Sequence, residues 1–390
     1  MTRGQKRRSQ LATLTVDLPA PDTGYPLPVA DRMPARIVAV VPAHDEQRAL
    51  PEALASLRLQ TRVPDRIVVV ADGCTDATAA VARRHGAEVV ETVDNHARKA
   101  GALNQALDRL LPGLADDDLL LVMDADSMLV DRFVETACDR LRTDPRAGAV
   151  GGVFHGEHGA GLVGALQRNE YARYAREIGR RGDRASVLTG TATLFRVDVL
   201  RSIAAARGRR LPGPPGRVYD PGALTEDNEI TLAVRTLGAT TVSPQPCGVL
   251  TEIMPTWRDL WRQRLRWQRG ALENLRAYGL TRVTAPYLAR QAGMYLGIVA
   301  VGLFVLSTAM FAAAGRLGAP EGPWLAMCAV FVVERVWTVR RRGWRGVALA
   351  AAMLPEFGYD LFQQAVFLRA AADLALRRAA AWHHLRAREV

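Results

Sequence analysis

At 390 residues the chain exceeds a single small domain and accommodates one sizeable catalytic unit plus an accessory region. Hydrophobic residues make up 49% of it and its mean hydropathy is near zero, which excludes both a disordered chain and one that is transmembrane throughout. The 51 basic residues outnumber the 40 acidic ones, for a net charge of +11, but they are spread out apart from residues 3–8, 258–269 and 340–345. No zinc-finger spacing or RNA-binding aromatic signature accompanies them, so lipid and nucleotide phosphate fit this charge better than nucleic acid does.

Residues 1–34 carry basic side chains and five prolines without an apolar run. They read as a flexible cytoplasmic tail able to touch anionic lipid, not as a signal peptide. From Arg36 onward, short β-branched runs alternate with helical stretches. Strands are expected at 37–41, 67–71, 88–92 and 119–123, and helices at 46–60, 76–86 and 99–110. This alternation predicts an α/β fold with a mostly parallel, Rossmann-like sheet covered by helices on both faces. In such sheets ligands bind beyond the carboxyl ends of the strands, and polar clusters fall there at 42–46, 72–76, 94–99 and 124–126.

After about residue 285 the composition changes. Residues 292–315 are uncharged and long enough to cross a hydrocarbon core, which needs ~20 residues. The next apolar run, 324–333, meets Glu334 and Arg335, and a third, 347–368, is broken by Pro355, Glu356 and Asp360. Two to three C-terminal membrane helices are therefore expected. The expected domains are 1–34 (tail), 35–250 (catalytic), 251–285 (amphipathic interface helix) and 286–390 (membrane region and basic tail). Cys74, Cys138, Cys247 and Cys328 lie far apart, so a reducing compartment is the default.

The chemistry-bearing residues follow the same order. Asp124 and Asp126 form a D-x-D at the end of a buried-looking strand, where residues i and i+2 of an extended backbone point to one side and can share a cation. Asp72-Gly73-Cys74-Thr75-Asp76 follows the second strand, with acids able to accept from a nucleobase or ribose; Asp76 also reads as a helix cap. Lys99 and Gly101 open a helix, a setting suited to a diphosphate as well as to a solvated lysine. Thr225-Glu226-Asp227 follows a Pro/Gly-rich stretch that reads as flexible, 211–222, and serves equally as an acidic first helical turn. Gln263, Arg266 and Trp267 sit in an aromatic-basic amphipathic helix with Trp257 and Trp261, a pattern common at membrane interfaces. Gly159–Gly164 matches a dinucleotide fingerprint but is not placed after the first strand of its unit. The His155–His158 and His383–His384 pairs lack zinc spacing.

Taken in order, these elements resemble the family 2 inverting glycosyltransferases, especially the membrane-integrated branch of cellulose, chitin and hyaluronan synthases. The matching residues are Pro42-Ala43-His44-Asp45-Glu46, Asp72-Gly73, Lys99 with Gly101 and Asn104, the D-x-D, T-E-D at 225–227, and Q-x-x-R-W at Gln263, Arg266 and Trp267. The Gly190-Thr191 to Phe195-Arg196 segment looks like the family's loop near the acceptor. The resemblance implies a GT-A domain at the cytoplasmic face of a bacterial membrane, transferring sugar from a UDP-sugar or other nucleotide sugar to a glycan, lipid or protein acceptor. By it, Pro42, Ala43, Glu46 and Asp72 hold the nucleoside, and Lys99 and Asp124 face the ribose and diphosphate. Asp126, with Asp124, binds Mg²⁺ or Mn²⁺. Asp227 is the general base beside Glu226, and Gly190, Thr191, Gln263, Arg266 and Trp267 meet acceptor or product. The chain departs from the pattern at Ala71, where many members carry a further acid, and nothing ahead of residue 36 reads as the N-terminal membrane helices of many polymer synthases.

Overall fold

A computed structural model describes Gly4, Arg7, Ser9, Gln10 and residues 35–378 apart from 317 and 319–321. His383 and His384 lie outside the described residues. The chain divides into two units, Met1–Pro255 and Thr256–Val390.

The first unit is built on a seven-stranded sheet. Its strands are β1 (Ile37–Ala43), β2 (Arg66–Ala71), β3 (Glu88–Glu91), β4 (Leu119–Met123), β6 (Ala147–Gly151), β8 (Ala192–Arg196) and β9 (Thr240–Val242), in the order β3-β2-β1-β4-β8-β6-β9. Strand β1 is an unbroken apolar run because it is buried on both faces between parallel β2 and β4, with Val40 opposite Val68 and Val122. The sheet is mixed, since β8 runs antiparallel to β4 and β6. A second, three-stranded sheet has the order β5-β10-β7, from β5 (Met128–Leu129), β7 (Val153–Gly156) and β10 (Gly248–Thr251).

The helices of this unit are α1 (Leu50–Arg58), α2 (Thr78–Arg84), α3 (Arg98–Leu110), α4 (Phe133–Thr143), α5 (Gly161–Arg180), α6 (Val197–Ala206) and α7 (Glu226–Thr236). Leu50, Leu54 and Leu57 of α1 form one buried stripe at helical spacing and enter the core with Ala39, Val41 and Leu121. The sequence places this helix from 46, but residues 44–49 are a polar turn, with Ala49 and Leu50 donating to the Glu46 carbonyl. The glycine run 159–164 opens α5, where a Cβ on Gly164 would meet Ala160 and Ile253. Close packing accounts for its glycine there.

The second unit holds α8 (Trp257–Tyr278), α9 (Ala285–Ala313), α10 (Gly322–Val339), α11 (Gly343–Ala351) and α12 (Leu354–Ala375). Among the described residues, α9 is the one helix long and apolar enough to cross a membrane. One of the two or three expected membrane helices meets this criterion. The charges interrupting the later apolar runs explain why. Arg335 of α10 pairs with Glu356 at 3.2 Å and with Asp360, both on α12, so α10 and α12 carry a partly buried ionic cluster that lowers their hydropathy. Pro355 does not break a helix midway. It lies in the first turn of α12, just after Met353 adopts a φ of 49°.

Candidate functional site

The sheet brings the D-x-D and the T-E-D together. Strand β4 ends at Met123, and the Asp124 amide donates to the Thr191 carbonyl at 3.0 Å, which seats the D-x-D against the start of β8. Asp124 Oδ1 accepts from Lys99 Nζ at 2.6 Å, and that ammonium also lies 3.0 Å from Glu226 Oε1 and 3.3 Å from the Gly190 carbonyl. Burial opposes the Lys99 charge, but Asp124, Glu226 and Asp227 outweigh it and hold the ammonium well above its ordinary pKa. Asp227 Oδ2 accepts from the Gly190 amide at 3.3 Å, and Oδ1 accepts from the Asn228 amide at 2.7 Å. A Cβ on Gly190 would stand 3.3 Å from Lys99 Nζ and 3.4 Å from Asp227 Oδ2, so glycine is what lets this backbone approach both. Gly190 thus lies at the acidic centre.

Thr225 occupies the N-cap position of α7 without a capping side-chain bond. The first turn of that helix instead directs Glu226 to Lys99 and Asp227 to Gly190. This is more than the helix-end role the triplet admits in sequence.

Asp126 lies deeper. Burial, with repulsion from Asp124 and Glu252, pushes its carboxyl up to about 7, against an opposing pull from Arg7. Glu46 is pushed up to about 8 by burial and by Asp126, Glu252 and Asp124. Glu46 therefore belongs electrostatically with the D-x-D. Oxygen-rich carboxylates repelling one another are a donor set that fits a hard divalent cation, Mg²⁺ or Mn²⁺.

Two members of this site escape sequence reasoning. Glu252 follows β10, and no local motif marks it. Arg7, read as part of a lipid-facing tail, is buried: its Nη1 lies 3.2 Å from Glu52, its Nε 2.6 Å from Glu157, and its guanidinium meets the Asp126 carbonyl.

The first two strands end side by side, with the Asp72 amide donating to the Ala43 carbonyl at 2.9 Å. Pro42 and Ala43 are buried at that edge. Asp72 Oδ1 accepts from Thr92 at 2.8 Å and Asn95 at 2.7 Å, which fixes a carboxylate at the strand tips. Gly73 takes a φ of +55° in the turn that follows. Asp45, Cys74 and Asp76 gather closely enough to hold an ion, but their chemistry argues otherwise. Asp45 accepts from the amides of Thr75 and Asp76, Asp76 accepts from the Thr78 amide, and burial pushes the Cys74 thiol up. These groups lock two turns together.

The Pro/Gly-rich stretch before the T-E-D is clamped, contrary to its flexible reading. Asn104 of α3 accepts from the Tyr219 amide at 3.0 Å and donates to its carbonyl at 2.8 Å. At its base, Arg207 donates to the Pro212 and Val218 carbonyls and to both oxygens of Glu229 in α7. The helices bearing Lys99 and Asp227 are thus tied to one loop.

Gln263, Arg266 and Trp267 lie on α8 of the second unit. There Arg264 stacks over the Trp267 ring at 4.3 Å. Trp257 and Trp261 meet Phe362 of α12 at 5.0 and 5.6 Å between ring centroids, so this aromatic face packs on a neighbouring helix.

Residues 34–270 match the family described as Glycosyltransferase like family 2. The chain belongs to the family 2 glycosyltransferases. Its D-x-D, T-E-D and Q-x-x-R-W all fall within the matched span. This glycosyltransferase is 24% identical over 241 residues to the poly-beta-1,6-N-acetyl-D-glucosamine synthase of Staphylococcus epidermidis, covering 60% of this chain and 53% of that protein. To the synthase of the same name from Staphylococcus aureus it is 22% identical over 246 residues, covering 61% and 55%. The chain spans about half the length of these curated relatives. The mannosyltransferase PcManGT from Pyrobaculum calidifontis, solved in complex with GDP-Man and Mn2+, shares the fold of this glycosyltransferase. Its TM-score is 0.59 over 96% of this chain and 95% of that one, at 19% identity.

Proposed function

We propose that this glycosyltransferase is metal-dependent and inverting, transferring a sugar from a UDP-sugar or other nucleotide sugar to a polysaccharide or glycan acceptor at the cytoplasmic face of a membrane entered by α9. The observation that carries this reading is the convergence of Asp227, held on the Gly190 amide, with the Lys99–Asp124 pair. It sets a proton acceptor beside a cationic group that faces a carboxylate.

The acceptor hydroxyl attacks the anomeric carbon as Asp227 takes its proton, a contribution of ~10²–10⁴-fold for a positioned base. The bond from that carbon to the diphosphate oxygen breaks, and its electron pair leaves with the nucleoside diphosphate. Lys99 offsets the charge growing there. Asp126 and Asp124, with Glu252 and Glu46 grouped near them, are the residues that would hold Mg²⁺ or Mn²⁺. The ion supplies Lewis-acid neutralisation of the leaving group. Asp72, anchored by Thr92 and Asn95, faces the nucleoside, and Glu226 keeps Lys99 directed into the site. The names of the staphylococcal relatives favour a polysaccharide acceptor, with Gln263, Arg266 and Trp267 toward the product.

Membranes containing the chain, incubated with a panel of radiolabelled nucleotide sugars and Mg²⁺ or Mn²⁺, test this reading. Transfer from one donor is expected, and sizing the product separates polymer from single addition. Absence of both transfer and donor hydrolysis across the panel sinks the proposal.

A further inference from the structure

The cations facing the acidic centre come from two different parts of the chain. Lys99 lies inside the span that matches the family and answers Asp124, Glu226 and Asp227. On the Asp126 side the positive charge is supplied by Arg7, which lies outside residues 34–270. Its guanidinium donates to the Asp126 carbonyl, Nη1 stands 3.2 Å from Glu52 and Nε 2.6 Å from Glu157, and the side chain is 4% exposed. An arginine is held in such a buried place only by the carboxylates around it. Glu46, Asp124, Asp126 and Glu252 repel one another, so a nest of charge that draws a divalent cation draws a guanidinium as well.

The hold on Arg7 is electrostatic more than directional. Among the described residues, neither Arg7 Nε nor Glu52 Oε2 makes a hydrogen bond, close as each is to opposite charge. Arg207, the buried arginine that clamps Glu229, instead donates to both oxygens of its partner. That contrast separates a fixed clamp from an exchangeable counter-ion. Two further contacts dock the same segment away from the D-x-D. Gln10 donates to the Gly156 carbonyl at 2.8 Å and accepts from the His158 amide at 2.8 Å, and a Cβ on Gly4 would collide with the Glu52 carboxylate. The segment carrying Gly4, Arg7 and Gln10 thus reaches from α1 to the end of β7 and touches Asp126 between them.

We propose that this segment is an autoinhibitory strap: Arg7 competes with the divalent cation for the carboxylates around Asp126, and loading of Mg²⁺ or Mn²⁺ requires Arg7 to leave. Two cations sharing these carboxylates repel each other, so each lowers the affinity of the site for the other. Only molecules with the strap undocked take the ion at its intrinsic affinity, which weakens apparent binding by that fraction. The inference rests on the reading that Asp126 holds the cation.

Mn²⁺ titration of the detergent-purified full chain, followed by electron paramagnetic resonance of the free ion, tests it. Arg7→Gln should bind Mn²⁺ at least ~10-fold more tightly than wild type, as expected on releasing a side chain held by two buried ion pairs. Gln10→Ala leaves the charge of Arg7 in place and removes only docking bonds, and should tighten binding by at least ~3-fold. It also answers the question should Arg7→Gln fail to fold. Saturating Mn²⁺ should in turn open Arg7 of the wild type to phenylglyoxal, with the adduct located by mass spectrometry. Unchanged Mn²⁺ affinity in both variants, tightening in Arg7→Gln alone, or an Arg7 that stays protected at saturating Mn²⁺ would each overturn the strap. If Asp126→Asn binds Mn²⁺ as wild type does, the reading beneath the strap fails. If that variant loses the ion while both strap variants match wild type, the strap alone fails.

Discussion

Arg207 lies buried against Glu229, donating to both carboxylate oxygens from one side while it bonds carbonyls of the loop preceding the T-E-D on the other. The pair links the end of α6 to the helix that presents Glu226 and Asp227. Removing one partner from a buried pair leaves an uncompensated charge, which costs about 3–5 kcal/mol. Glu229→Gln should lower unfolding stability by that order in a denaturant titration. Arg66→Ala, which breaks the exposed pair with Glu88, should cost under ~1 kcal/mol. Similar losses in the two variants would show that the buried clamp is no stronger than a surface pair.

Gly190 tests the approach of backbone to the carboxylate proposed as the base. A methyl group there presses on both Lys99 Nζ and Asp227 Oδ2, the far ends of two side chains that can shift by a few tenths of an ångström. Gly190→Ala should therefore leave Tm within a few degrees of wild type. Turnover should fall by up to ~10-fold, because displacements near 1 Å at a reacting centre cost ~10²-fold and these shifts are smaller. A variant with full turnover would separate Gly190 from the chemistry.

The sequence and the structure agree best where local pattern and tertiary position coincide. Val38–Val41 and Leu119–Met123 are continuous apolar runs because they are central strands, so the D-x-D at the end of β4 was legible with its strand. The antiparallel insertion of β8 between β4 and β6 was not, since a short apolar strand carries no mark of direction. Glu252 and Arg7 escaped for a related reason. A lone acid after a strand and a basic residue in a proline-rich tail acquire their meaning only from partners distant in the chain, Asp126 foremost. Likewise, the glycines and prolines of 211–222 signal irregular backbone, but only Asn104 and Arg207 decide whether it is held.

Asp126 should report the cation directly. If its carboxylate holds Mg²⁺ or Mn²⁺, ligand binding to the folded state raises Tm with ion concentration. The wild type should show that rise in thermal unfolding scans, reversed by chelator. Asp126→Asn keeps the shape but loses the charge, and should lose most of the increment. Because this carboxyl is buried among like charges, the variant without metal should be at least as stable as the wild type without metal. An undiminished increment would move the ion to other ligands.

Asp227→Asn separates the roles open to the T-E-D. Asparagine preserves the size of the side chain and its acceptance from the Gly190 amide, but it cannot take a proton. Donor affinity, measured by calorimetry, should therefore stay within a few-fold of wild type, since Lys99, Asp124 and Asp72 are untouched. Turnover should fall by about 10²–10⁴. If the residue merely favours the N-terminus of α7, asparagine serves nearly as well there and both quantities stay close to wild type. If it instead holds Lys99 in place, donor affinity and turnover fall together, because the ammonium loses one of the three carboxylates that sustain its charge. The decisive comparison is with Glu226→Gln, which removes a direct 3.0 Å partner of Lys99 and leaves the proposed base intact. Its defect should appear mainly in donor affinity. A Glu226→Gln variant that loses turnover with unchanged donor affinity, beside an active Asp227→Asn variant, would reassign the base to Glu226.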